Sequence, residues 1–303
     1  MKTDTQLLNE IAKRTDLLRQ LTEDEAAKLK KKLLEIHNAI ISICDKNGLR
    51  IMLSGGSCLG TIRHGGFIPW DDDLDMIMPR SDYKKLIKLY EDGHVGTQLL
   101  FEYPNKKRDV KNNYLKVFLR NTTLKEMFDD SGTFPSNIFV DIFPMDYAPK
   151  NKTIRKIKSI ISDGLQFICT CVLYKKYPSK NLELFYKQDN DAYKRYRFRL
   201  FVGSIASFLS HRRWVYLFDK FNRNSKPTDY YTIPCGRKHY MGETLPSDVF
   251  FPVLESTFEG VKTYLPHRPH DYLSNLYGNY MQIPPEDKRE RHFIIDISFK
   301  SER

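Results

Sequence analysis

The stretch "SGGSCLGTIRHGGFIPWDDDLDMIMPRSDY", Ser54 to Tyr83, sets the architecture of the chain. It leaves a short apolar run, "RIMLS" (Arg50 to Ser54), whose pattern predicts a strand. It then passes through a glycine-rich turn into "DLDMIM" (Asp73 to Met78), a second predicted strand. Strand alternation puts Asp73 and Asp75, about 7 Å apart, on one face and Leu74 and Met76 on the other, with Asp71 and Asp72 at the rim. Ser81 offers a cap to the following helix, "DYKKLIKLYED", which Gly93 closes.

Working outward, "LTEDEAAKLKKKLLEIHNAIISICDKNG" predicts a long helix: Thr22 and Glu25 form a capping box and Asn47-Gly48 supplies the stop. Leu29, Leu33, Ile36 and Ile40 recur on one face of it and read as core. Downstream, "NNYLKVFLRN" (Asn112 to Asn121) and "NIFVDIFPMDY" (Asn137 to Tyr147) read as strands, the second ended by Pro144, which has no N–H to donate. Residues 150–226 turn helical, basic and aromatic. After Pro227, "TFEGVKTYLP" predicts a hairpin and "PHDYLSNLYGNYM" a short helix. The expected fold is α+β, a mixed sheet core flanked by helices with a basic helical insert.

The net charge of +11 is localised. Lys150 to Lys226 holds 18 Lys/Arg against 5 Asp/Glu, whereas the rest of the chain is close to neutral. Such a segment suits nucleic acid, anionic lipid or phosphorylated substrates, or is simply a solvated face. The longest uninterrupted apolar run, "LFVGSIASFL", has only 10 residues, and "MKTDTQLLNEIAKR" shows no apolar leader, so a cytoplasmic protein is expected. The five cysteines are scattered, outside any CxxC pair, and read as reduced packing residues.

Converging carboxylates repel one another unless a cation joins them, and Mg²⁺ or Mn²⁺ is the natural partner of an all-oxygen set. Asp141, flanked by Val140 and Ile142, is the candidate third acid on a neighbouring strand. An EF-hand loop counted from Asp71 fails, since Met76 stands where glycine and Asp82 where glutamate is needed. A solvated acidic turn is the competing reading. Glycine amides at Gly55, Gly56 and Ser57 can cradle phosphate oxygens. Together the glycine turn and the acid trio describe a two-metal phosphoryl-transfer site.

Three stretches, "LSGGSCLGTIRHGGFIPWDDDLDM", "FVDIFPMD" and "YLSNLYGNYMQIPPEDKRERH", resemble the LicD family, whose core is similar to the polymerase-β-like nucleotidyltransferase fold and which includes the fukutin-related proteins. The resemblance covers roughly residues 30–147 and 227–292. It implies a catalytic core at 1–149, a basic helical insert at 150–226 and the remainder of the LicD-type domain at 227–303. It also implies metal-dependent transfer of an alcohol phosphate, phosphocholine first among them, from a CDP-alcohol donor to a hydroxyl of a glycan or its lipid-linked precursor, releasing CMP. Asp73, Asp75 and Asp141 match the metal-binding acids, for two Mg²⁺ or Mn²⁺ ions, and Asp71 and Asp72 belong to the same motif. Asn279 departs from the acid found there in many relatives.

On this reading Asp141 or Asp73 takes the proton of the acceptor hydroxyl. Gly55, Gly56, Ser57, Arg63, His64, Asp71, Lys116, Arg120 and Tyr277 are the candidate substrate contacts, and Arg289 and His292 close the site from the C-terminal side. The basic insert is expected to meet an anionic membrane surface rather than nucleic acid, for which no known module is present. The alternatives are a nucleotidyltransferase that attaches NMP to its acceptor and a non-catalytic nucleotide-binding subunit.

Overall fold

The computed structural model describes residues 19–127, 131–224, 226–285, 288–289 and 294–299. His292 and residues 1–18, which include the stretch read for a leader, lie outside the described residues. The first helix, α1 (Glu23–Lys46), has the predicted capping box, with Thr22 and Glu25 bonding each other's backbone, and ends at Asn47 before Gly48 at φ +60°. Its stripe Leu29, Leu33, Ile36 and Ile40 is buried against the sheet.

The opening stretch folds differently from a plain strand–turn–strand. Strand β1 is only Met52–Leu53, and the glycine-rich segment is a helix, α2 (Gly55–His64). Gly55, at φ +49°, reverses the chain out of the strand, and Gly65, at φ +71°, ends the helix in the left-handed region. Three glycines in this segment weaken its helical signal, but burial of Cys58, Leu59 and Thr61 holds it. Strand β2 (Asp75–Pro79) starts two residues later than predicted, so Asp73 precedes the ladder. Helix α3 (Arg80–Glu91) begins before Ser81, whose hydroxyl bonds Asp82 instead of capping. Arg80 sits in the first turn because its side chain is needed inside, as described below.

Strands β3 (Leu99–Glu102), β4 (Leu115–Leu119), β5 (Thr123–Glu126) and β6 (Phe139–Tyr147) follow. The main sheet runs β1-β2-β6-β4-β3, with β2 and β6 parallel and the other pairs antiparallel. Pro144 does not end β6. The ladder to β4 has its last pair at Ile142, and the ladder to β7 (Tyr230–Thr232) begins at Asp146, so Pro144 lies in the gap between two partners where no N–H is called for.

Helices α4 (Lys152–Lys176), α5 (Lys180–Tyr186), α6 (Asn190–Ala206) and α7 (His211–Asn222) come between β6 and β7. Arg80 joins them to the sheet: its guanidinium is buried with Asp146 of β6 (2.6 Å) and Asp219 of α7 (2.6 Å), and Arg223 pairs with the same Asp219. The sequence contains no long apolar run, yet α4 is long and apolar enough to cross a bilayer by length and composition; its charges gather toward its two ends, with Asp163 alone between Lys158 and Lys175.

After β7 come α8 (His239–Gly242), β8 (Leu245–Pro246), α9 (Ser247–Phe250), the predicted hairpin β9 (Leu254–Phe258) and β10 (Val261–Leu265), and α10 (Pro269–Tyr277). Strand β11 (Ile294–Ser298) pairs with β5. All five cysteines are buried and unbridged. The architecture is the expected α+β one, a mixed sheet flanked by helices.

Candidate active site

The parallel register of β2 and β6 places Asp75 opposite Asp141, and the antiparallel register of β4 places Lys116 opposite Asp141 in turn. Three charged side chains thus stand in one row across the middle of the sheet. The local chain keeps them there. The amide of Asp75 donates to the Ser57 hydroxyl (2.9 Å), that of Ser54 to the Asp75 carbonyl (2.9 Å) and that of Asp141 to the Leu74 carbonyl (3.1 Å).

The loop before β2 is anchored at its start from two sides. Phe67 and Ile68 are buried, the Phe67 amide donates to Glu259 in the turn of the β9–β10 hairpin (2.9 Å), and Lys30 of α1 reaches the Pro69 carbonyl (3.3 Å). The acids are therefore delivered by a loop tied to two distant parts of the chain. Trp70, next to them, lies beneath the guanidinium groups of Arg63 (5.9 Å) and Arg289 (4.2 Å), which favours packing over base stacking.

Asp71, Asp72, Asp73 and Asp75 all line a cleft of about 250 Å³, so Asp71 and Asp72 belong to the wall and not merely to its rim. Facing them is the N-terminus of α2. A Cβ on Gly56 would stand 2.8 Å from Asp71 Oδ2, and one on Gly55 3.2 Å from Asp75 Oδ2, so only glycine lets the carboxylates approach the helix this closely. Tyr272 of α10 holds that helix end, with its hydroxyl 2.7 Å from Ser54 Oγ and accepting from the Gly55 amide (3.3 Å).

The remaining candidates divide. Tyr277 lines the cleft. Ser57 is buried behind it, its hydroxyl taken by the Asp75 amide. Asp141 is buried just off the wall, accepting from Tyr114 (3.1 Å) and paired with Lys116 (3.4 Å), whose ammonium also sits over the Phe139 ring. Arg63 donates to the Tyr280 carbonyl (2.7 Å); partial burial lowers its pKa, and the charge of Asp71 opposes that. His64 is exposed at the far end of α2, roughly 15 Å along the helix from Gly55, and Arg120 is exposed beyond the end of β4. These two are not brought to the cleft.

Sequence reasoning missed five further residues of the lining: Phe143, two positions along β6 from Asp141, and Gly236, Arg237, Glu243 and Tyr272 from the later part of the chain. Arg237 sits over the Tyr277 ring (5.2 Å). Glu243 is buried and its pKa is pushed up to about 7 by that burial, against the Lys238 amide it accepts from and the charges of Arg237 and Lys238. The signal was uneven: "PCGRKHYMGET" carries no recognisable spacing, and Tyr272 opens the third stretch of the resemblance, where only Tyr277 was singled out as a substrate contact.

Among the described residues no three His, Cys, Asp or Glu side chains form a ready-made metal centre. The carboxylates at the cleft are nonetheless hard oxygen donors, the kind Mg²⁺ or Mn²⁺ takes, and they line an open volume of about 250 Å³. The residues present fit such an ion in chemistry.

Residues 48–167 match the family model described as LicD/FKTN/FKRP, nucleotidyltransferase domain. The chain is 26% identical over 277 residues to the lipopolysaccharide cholinephosphotransferase LicD of Haemophilus influenzae, covering 86% of this chain and 93% of that protein. It is 43% identical over 44 residues to the ribitol 5-phosphate transferase FKRP of Mus musculus and of Homo sapiens, which is 14% of this chain and 9% of each of theirs. The mixed sheet and its flanking helices are compatible with a nucleotidyltransferase-like fold.

Proposed function

The chain carries a LicD-family domain, and on that premise we propose that it is a transferase that moves phosphocholine from a CDP-activated donor to a hydroxyl of a cell-surface glycan, releasing CMP. The observation that carries the reading is the cleft itself, lined by four aspartates, the glycine N-terminus of α2 and Arg237.

Each part has a role in that chemistry. Gly55 and Gly56 line the cleft at a helix end whose dipole favours the negative charge of a phosphate, and having no Cβ they admit the Asp75 and Asp71 carboxylates beside them. Arg237 supplies a positive charge to a diphosphate that the acids alone would repel. Asp73 and Asp75 would hold a divalent cation, with Asp141 behind Asp75; such an ion supplies charge neutralisation on the diphosphate and on the leaving CMP. Asp73, which lines the cleft, accepts the proton of the acceptor hydroxyl, whereas Asp141 is buried off the lining. Tyr277 and Phe143 offer ring faces to a quaternary ammonium.

The test is CMP release from CDP-choline in the presence of Mg²⁺ and a glycan acceptor, with mass analysis of the product. Asp73→Asn and Asp75→Asn are expected to lower turnover by about 10²–10⁴-fold, the equivalent of several kcal/mol of transition-state stabilisation. Undiminished turnover in both variants, or an acceptor that gains a nucleotide in place of phosphocholine, sinks the assignment.

A further inference from the structure

Helix α4 is turned inside out over its first half. Its buried face is polar: Arg155, Ser159 and Ser162 point into the protein, with the Arg155 guanidinium over the Tyr230 ring (4.3 Å) and Ser159 bonding Asp163 (3.1 Å). Its exposed face is apolar, with Ile154, Ile157, Ile160 and Ile161 in one stripe that Phe167 continues. Ile160 is 66% exposed, whereas Ser162 is 0%. A water-facing helix has the opposite distribution.

Helix α6 extends this surface. Phe198, Phe201 (62% exposed) and Ile205 recur on its outer side, and Phe208 (75%) follows just beyond its end. The two stripes meet, since the Phe167 and Phe198 rings lie 6.4 Å apart. The helices cross closely at Gly203, where a Cβ would stand 2.2 Å from the Cys171 carbonyl oxygen, so the surface is held as one unit. Basic side chains border it: Lys152 and Lys156 are exposed beside the α4 stripe, whereas Lys158 turns inward over the Phe221 and Tyr240 rings, and Lys194 and Arg197 precede the aromatic part of α6.

We propose that this face lies in the interfacial layer of an anionic lipid bilayer, its isoleucines and phenylalanines among the acyl chains and its lysines and arginines at the headgroups. The bordering cations select the occupant. A second copy would set one basic segment, 18 Lys/Arg against 5 Asp/Glu, against another, whereas acidic headgroups complement it while the acyl region takes the apolar stripe. The helix lies flat and does not span, because its polar side is already occupied by Tyr230 and the other helices. The bound surface is also joined to the cleft: Gln166 of α4 is hydrogen-bonded to His239 (3.0 Å), and the segment around His239 carries Arg237 and Glu243 of the lining. The inference does not depend on the chemistry proposed for that cleft.

Vesicle flotation tests it with the full chain. The protein is expected to float with an equal mixture of phosphatidylcholine and phosphatidylglycerol, far less with phosphatidylcholine alone, and to stay partly bound at about 1 M salt, where the screening length is only about 3 Å. Replacing Phe198, Phe201 and Ile205 together by serine is expected to weaken binding at least about tenfold without lowering the melting temperature. In a separate variant, Phe201→Trp, brominated acyl chains should quench added fluorescence. No flotation at low salt, full release at high salt, an unweakened serine variant, or a dimer through this face in place of vesicle binding would each overturn the proposal.

Discussion

Gly56 determines how near Asp71 can come to the helix opposite. An alanine there meets only the end of a flexible carboxylate, which can swing away, so Gly56→Ala is expected to leave the melting temperature within a few degrees and lower turnover about tenfold or more. Gly60→Ala is the contrasting case: its Cβ would stand 2.3 Å from the Gly66 carbonyl oxygen, which is backbone and cannot yield, and a loss of about 1–3 kcal/mol is expected. Thermal melts and CMP assays on both variants distinguish the two; a stable, fully active Gly60→Ala contradicts the packing argument. Glu243 gives a pH signature. Burial raises its folded pKa from 4.5 to about 7, so the folded form holds the proton more firmly than the unfolded chain does. Its stabilising contribution is therefore complete below about 4.5 and disappears as pH rises to about 7, amounting to roughly 3 kcal/mol. Glu243→Gln should lack this decline, and wild-type and variant melting curves that run parallel from pH 5 to 8 exclude the effect.

At the scale of elements, Arg80 is the clearest liability. It opens α3, yet its guanidinium is consumed by Asp146 and Asp219 out of reach of water. Arg80→Ala leaves two buried carboxylates without their cation and is expected to cost about 3–5 kcal/mol, read from denaturant unfolding. A loss below 1 kcal/mol would mean that Arg223 compensates alone. The same element shows what a sequence can reveal. The capping box of α1, the β9–β10 hairpin and the aspartates beside Leu74 and Met76 were all legible, since each rests on spacing within a few residues. The start of α3 was not, because Arg80 is placed by partners 66 and 139 positions away. Likewise Pro144 reads as a strand end until the staggered ladders of β4 and β7 are known. The α2 helix was hidden by its own glycines, two of which reflect the carboxylates standing against them and the third, Gly60, the backbone at Gly66. Half of the candidate cleft was legible for the same reason: the acids and the glycines form a local motif, while Arg237 and Glu243 join them only through the folded chain.

For the whole molecule, the helices α4 to α7 are tied to the sheet by the Arg80 cluster, and β7 returns from them into the ladder of β6. Calorimetry is therefore expected to give one cooperative transition, with no separate melting of the helical segment. Two resolved peaks would show that the tie is weaker than its burial implies.

The residues that line the cleft also lie far apart in order of synthesis. The acids end at Asp75, whereas Tyr272 and Tyr277, which complete the lining, come about 200 residues later. At roughly 5–20 residues per second a nascent chain spends on the order of 10–40 seconds between synthesis of these carboxylates and of the last residues that line the cleft with them. A product terminated before Tyr272 would thus keep the aspartates and the glycines and lack the part of the lining that α10 brings to them.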